Sequence, residues 1–216
     1  MSRRLVAVFA AVASFAAVIP CSAPASAGGF GEVRTVRSVD LDRYTGRWFN
    51  LASIPSPFLE RCERDITADY EVLDDGLVRV VNTCTTGGRS IPIEGRARVV
   101  EPETNAELQV TFARQNGEFI FVPGGDYWVI GLDRDYEWAV VGDPDRSGGF
   151  VLSRTSTLGA REIVGVLFSL LRSGYDPCRF ELTPTTGGLE ADGSICAPRV
   201  LRQLAGVGSL NGAEVR

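Results

Sequence analysis

The sequence predicts an all-β chain: an eight-stranded antiparallel up-and-down barrel, with one C-terminal α-helix packed on its outside and a short ninth strand. Three observations predict it. Between Gly46 and Phe150, short apolar or alternating runs are separated by turn signals at close spacing, as an all-β sandwich or barrel requires. Eight such runs can be counted, and eight strands close a barrel just wide enough for one small ligand. Beyond them the hydrophobic period changes from that of a strand to that of a helix.

The runs follow in order. The first strand is expected over 46–54, stopped by Pro55 and Pro57. The second covers 66–73, and Asp74-Asp75-Gly76 turns it back, because Asp and Gly tolerate positive φ. The third covers 77–84 and the fourth 91–100, with a Gly- and Thr-rich loop between them. The fifth covers 107–113, the sixth 126–132 and the seventh 136–141, the last two joined at Asp133-Arg134-Asp135. Gly142 to Asp145 turns the chain into the eighth, 150–154. Apolar residues at 158, 163, 164, 167, 168, 170 and 171 then make a helical stripe over 158–173, with Thr157 as its N-cap and Gly174 as its stop. Residues 179–183 supply the ninth strand, and Asp40 to Tyr44 a single helical turn before the first.

The ends have their own character. Arg3 and Arg4, the apolar run from Leu5 to Ile19, and Ala25-Ser26-Ala27 read as a signal peptide over 1–27 with an A-x-A cleavage site. The rival is a lipoprotein signal acylated at Cys21, for which Pro20 is a poor neighbour. This divides the chain into signal peptide (1–27), N-terminal arm (28–38), barrel with helix (39–183) and a C-terminal extension (184–216) partly tied by Cys196. The export signal implies a secreted protein.

Composition removes several function classes. Losing Arg3 and Arg4 with the signal takes the formal charge of the 216-residue chain from −5 to −7, so nucleic acid is an unsuitable partner. There is no histidine, which removes Ser-His-Asp and Cys-His catalysis, the H-E-x-x-H metal site and a proximal haem ligand. No cofactor or metal is expected. Cys62, Cys84, Cys178 and Cys196 are an even count in an exported chain and suggest two disulfides. Three pairings exist; Cys62–Cys84 and Cys178–Cys196 are preferred, because each pair brackets an expected hairpin.

Three motifs, in order, carry a family resemblance. Gly46-Arg47-Trp48 opens the first strand after Leu41-Asp42-Arg43-Tyr44; Leu132-Asp133-Arg134-Asp135-Tyr136 spans the turn between the sixth and seventh strands; Ser153-Arg154-Thr155 closes the eighth. Together with the helix behind them, they resemble the signatures of the lipocalin family, and most of all its bacterial members related to apolipoprotein D. The resemblance implies that Gly46, Trp48 and Arg154 are structural. The indole fills the closed end of the barrel, and the guanidinium lies flat on it. It also implies a carrier of a small hydrophobic molecule such as a fatty acid, lysophospholipid or similar lipid, and no catalytic residues.

Strand alternation from Trp48 points Asn50 and Ala52 inward. By the resemblance, Ala68, Tyr70, Val78, Val80, Asn82, Ile93, Ala97, Val99, Leu108, Val110, Phe112, Tyr127, Val129, Ala139, Val141, Phe150 and Leu152 also face the interior. The expected ligand contacts are Asn50, Ala52, Tyr70, Val80, Phe112, Tyr127, Val129, Val141 and Phe150. Trp128 and Trp138 fall on the outer parity, where they pack under the helix against Leu167 or Phe168. Phe58, in the first loop, and Phe121 are candidates for transient membrane contact at the mouth. The protein is expected to be a monomer or weak dimer. Two other functions are weighed: a secreted interaction module acting through its loops, and a lipocalin-fold enzyme on an isoprenoid or lipid. The enzyme lacks support, because the cysteines sit at strand ends or beyond the barrel.

Overall fold

The computed structural model describes residues 31–188, 190 and 193–197; the signal-peptide segment 1–27 and the end of the C-terminal extension lie outside the described residues. In chain order the first elements are α1 (Leu41–Tyr44), β1 (Gly46–Ser53), β2 (Arg64–Val72), β3 (Val78–Thr86), β4 (Arg89–Val99), β5 (Glu107–Thr111), β6 (Arg114–Gln115) and β7 (Glu118–Phe119). There follow β8 (Gly125–Leu132), β9 (Trp138–Gly142), β10 (Gly149–Ser153), α2 (Ala160–Arg172), a 3₁₀ turn (Pro177–Arg179) and β11 (Glu181–Leu182).

Eight of these strands form one closed antiparallel barrel. Each pairs with the next from β1 to β5, β5 pairs with β8, and β8, β9 and β10 follow. β10 returns to β1 through Phe49–Ser153 and Asn50–Leu152, so no long edge is left exposed. β11 adds to β1 where β2 has diverged from it, pairing Ala52–Leu182 and Ser53–Glu181. Turn chemistry sets the strand ends. Gly76 takes φ +80° in the β2–β3 turn, and Asp133 accepts the Asp135 N–H at 2.8 Å in the β8–β9 turn.

One hairpin was missed from the sequence. β6 and β7 turn at Asn116-Gly117, both at positive φ (53° and 90°), inside the connection from β5 to β8. The Asn-Gly pair was the signal, but two-residue strands leave no alternation to read.

The core has two layers. Outside the barrel, α2 lays Val166 and Leu170 over Ile130, Trp138, Val140 and Val151, and Tyr175, Phe180 and Ile195 extend this layer. Burying each of these aliphatic side chains is worth about 1.5–3 kcal/mol. The helix stripe is phased differently from the expectation. Val166, Ser169 and Leu170 are buried, whereas Val164, Phe168 (64% exposed) and Leu171 face solvent. Trp138 meets the helix at Gly165, where an added Cβ would lie 2.6 Å from the indole, so the tryptophan uses the gap a glycine leaves and not Phe168. The N-cap is Gly159, without a side-chain hydrogen bond; Thr157 instead gives its carbonyl to the Thr155 hydroxyl at 2.7 Å. The C-terminus ends as expected at Gly174, φ +74°, with Tyr175 N–H returning to the Leu170 carbonyl at 2.9 Å.

Two disulfides hold the ends. Cys62–Cys84 ties the β1–β2 loop to β3, and Cys178–Cys196 ties the extension to the 3₁₀ turn, both the preferred pairings. They span 22 and 18 residues. In the chain-entropy account, closing loops of this size contributes about 3 kcal/mol each. Reduction is therefore expected to lower the unfolding free energy by roughly 3 kcal/mol per bridge. Urea midpoints with and without reductant measure it, and coincident curves would show that the bridges contribute nothing.

Candidate ligand-binding site

The site is built upward from the closed end. Trp48 is fully buried. Its indole N–H donates to the Tyr44 carbonyl at 2.8 Å, and the Arg154 guanidinium lies 3.7 Å above the ring. Arg154 also donates to the carbonyls of Arg47 (2.9 Å) and Arg43 (2.7 Å), joining α1 to β1. Gly46 sits at φ +86° beside that guanidinium, a conformation that a side chain would strain. The three motif residues thus form one plug.

Above the plug lies a layer of phenols. Tyr44 comes from α1, Tyr70 from β2 and Tyr127 from β8. The Tyr127 hydroxyl is hydrogen-bonded to that of Tyr44 at 2.9 Å and to that of Tyr70 at 3.1 Å. Burial pushes Tyr70 up to about 12 and raises Tyr44 and Tyr127 well above the ordinary tyrosine value, so all three are neutral under physiological conditions. The linkage has a definite sign. A raised folded pKa stabilises fully below the unfolded value of about 10 and is lost as pH rises through the folded one. Stability is therefore expected to fall between pH 10 and about 12, starting from tyrosine's contribution alone. Urea midpoints across that range measure it, and replacing Tyr70 with Phe should flatten the fall.

Above the phenols the barrel opens into a cavity of about 330 Å³, at the lower end of the range for small-molecule sites. Its walls are chiefly apolar, with Ala68, Val80, Phe112 and Phe150 among them, and the asparagines Asn50 and Asn82 set into them. Phe58 and Leu59 of the β1–β2 loop reach its mouth, where Phe58 stacks on Phe112 at 5.3 Å. The β6–β7 hairpin stands at the same end, with Arg114 over the Phe119 ring at 3.8 Å and Arg98 over Phe121 at 4.6 Å.

The structure brings six of the nine expected contact residues together around this cavity: Asn50, Tyr70, Val80, Phe112, Tyr127 and Phe150. Three lie elsewhere. Ala52 belongs to the outer layer, because the pairing of β1 with β10 shifts register between Asn50 and Ala52 and the alternation inverts. Val129 and Val141 face inward but are packed with Trp48, Ala139 and Leu152 in the plug. Several residues at the mouth were not in the expected set. Ile91 lines the cavity while half exposed, beside Ile93, which the inward parity of the fourth strand does predict, and Thr67 joins them next to another register shift in β2. An alternation read from one anchor residue cannot pass the shift beside Thr67.

A closed eight-stranded barrel with one plugged end, one open end and an apolar cavity is a small-molecule-binding β-barrel. The chain belongs to the lipocalin family: the lipocalin-like domain matches residues 39–185. It is 36% identical over 180 residues to outer membrane lipoprotein Blc of Escherichia coli, covering 82% of this chain and 95% of that protein. It is 34% identical over 154 residues to temperature-induced lipocalin-1 of Arabidopsis thaliana, covering 71% and 83%. Apolipoprotein D of Macaca fascicularis matches at 34% over 96 residues, covering 44% and 46%. Among solved structures, insecticyanin from the tobacco hornworm Manduca sexta superposes with a TM-score of 0.57 at 19% identity, covering 72% of this chain and 86% of that one. That likeness is one of fold.

Proposed function

We propose that this protein binds and carries a small hydrophobic molecule, a fatty acid, lysophospholipid or similar lipid, inside its barrel and leaves it chemically unchanged. The observation that carries this reading is the cavity itself: about 330 Å³, apolar in its walls, above a solid plug. A barrel that served only to present its loops has no need of an unfilled interior. Thiol and histidine chemistry find no support here. The four cysteines from Cys62 onward are paired in disulfides, and the sequence has no histidine. Export is part of the same proposal, supported by the signal-like segment, by disulfides that suit an oxidising compartment, and by a relative that is an outer membrane lipoprotein.

The test has two parts. Native mass spectrometry of protein purified from its own host, followed by solvent extraction, should release an apolar molecule. The delipidated protein should bind the neutral fluorescent probe N-phenylnaphthylamine with saturation. Absence of both a co-purifying molecule and saturable probe binding would end the carrier reading.

A further inference from the structure

We propose that the polar group a ligand carries into this cavity is uncharged, an alcohol or an amide, and not a carboxylate or phosphate. This rests on the carrier reading and narrows it: of the lipids named there, a fatty acid would enter only as its protonated form, and a lysophospholipid would leave its phosphate in water at the mouth. The first observation is electrostatic. Among the described residues the only charged side chains lining the cavity are Asp126 and Asp143, both acidic. The sequence contains no lysine and no histidine, and no arginine lines the wall. The Asp143 carboxylate is turned into its own loop, where it accepts from Ser147 N–H at 2.9 Å and Ser147 Oγ at 3.1 Å. An anion drawn inside would lose its hydration, find no cation and face two carboxylates.

The second observation is an unfilled set of neutral hydrogen-bonding groups. Asn50 is only 4% exposed and lines the cavity, and its Oδ1 has no hydrogen-bond donor. Asn82, also in the wall, has a buried Oδ1 in the same condition. Buried polar atoms left unpaired are rare and call for a partner. The phenol layer offers the complementary group. Three hydroxyls share two hydrogen bonds, so among them one O–H hydrogen is left over, and Tyr70 and Tyr127 both border the cavity. The wall therefore supplies acceptors and donors that are all neutral, because each asparagine amide carries two N–H donors beside its oxygen. A hydroxyl or a primary amide satisfies both kinds at once; a carboxylate satisfies only the donors.

The experiment is a displacement series with N-phenylnaphthylamine and four ligands of one chain length: decane, decanol, decanamide and decanoate. Near neutral pH, decanol and decanamide should displace the probe at concentrations at least ~10-fold below decanoate, the least that a buried unpaired charge would cost. Decanoate should close the gap as pH is lowered through its own pKa, since the protonated acid is the form that fits. Asn50→Leu and Asn82→Leu should each reduce the advantage of decanol over decane while the melting temperature holds or rises, because an unpaired amide has been replaced by a side chain of similar size. Decanoate equal to or better than decanol at neutral pH would overturn the inference while leaving the carrier reading standing. An unchanged decanol advantage in both variants would overturn the part assigned to the asparagines. Failure of the probe and of every ligand to bind would overturn the inference together with the reading beneath it.

Discussion

Trp48→Ala is expected to lower the stability of this barrel by about 3–5 kcal/mol, the usual cost of truncating a fully buried tryptophan. Three losses coincide at the site. The indole leaves a void against Tyr44, whose ring lies 5.0 Å away, and against the plug residues Val129, Ala139 and Leu152. The Tyr44 carbonyl loses its 2.8 Å donor. The Arg154 guanidinium loses the face on which it rests and, with it, the position from which it holds α1 to β1. For a domain of this size such a loss corresponds to a melting temperature lower by roughly 10 °C or more. Thermal unfolding followed by near-ultraviolet circular dichroism would show it. An unchanged midpoint would mean that Trp48 is not the structural centre of the closed end, and Arg154→Ala should then also be silent.

The second large effect is expected on binding, with little on stability. Ala68 is buried in β2 between Trp48 and Asn82 in register, and it borders the cavity. Ala68→Phe should push a ring into the space that a ligand occupies. If the ring displaces about 100 Å² of ligand contact, the loss is ~2.5 kcal/mol at 25 cal/mol per Å², or roughly 70-fold in affinity. The fold should hold, because the added volume enters an existing cavity and not a filled core. Probe titration of this variant against the parent measures the effect. Parental affinity in a folded variant would place the ligand outside the barrel and favour a role for the loops.

Much of the architecture was legible because it rests on local periodicity. Each barrel strand shows in the sequence as a short apolar or alternating run, and each lies within about two residues of its expected bounds. The plug was legible for a different reason. Gly46, Trp48 and Arg154 are distant in sequence, but the barrel can bring them together in one way only, and a family resemblance already paired them. The two disulfides were legible as a preference because each closes a short loop around a hairpin.

The cavity was only partly legible. Asn50, Tyr70 and Tyr127 follow from strand parity, and they do border the same space. Parity cannot say how high in the barrel a side chain stands, so it did not separate Val129 and Val141 in the plug from Val80 beside the cavity. It also fails at a bulge, which is how Ala52, paired with Leu182 of β11, came to belong to the outer layer. The helix shows the same limit. Val164, Phe168 and Leu171 fit an apolar stripe as well as Val166 and Leu170 do, and only the position of Trp138 against Gly165 selects between the two faces.

By itself, then, the sequence determined the class of fold, the order of its strands and the residues of the plug. Fold class and strand order follow from alternation and turn chemistry, which act along the chain; the plug residues follow from the family resemblance. The tertiary structure alone decided where packing stops and the cavity begins, which face of α2 is buried, and that two asparagine oxygens and one phenol hydrogen are left without partners. Those facts depend on closure of the barrel, because the groups concerned meet across it and not along any one strand.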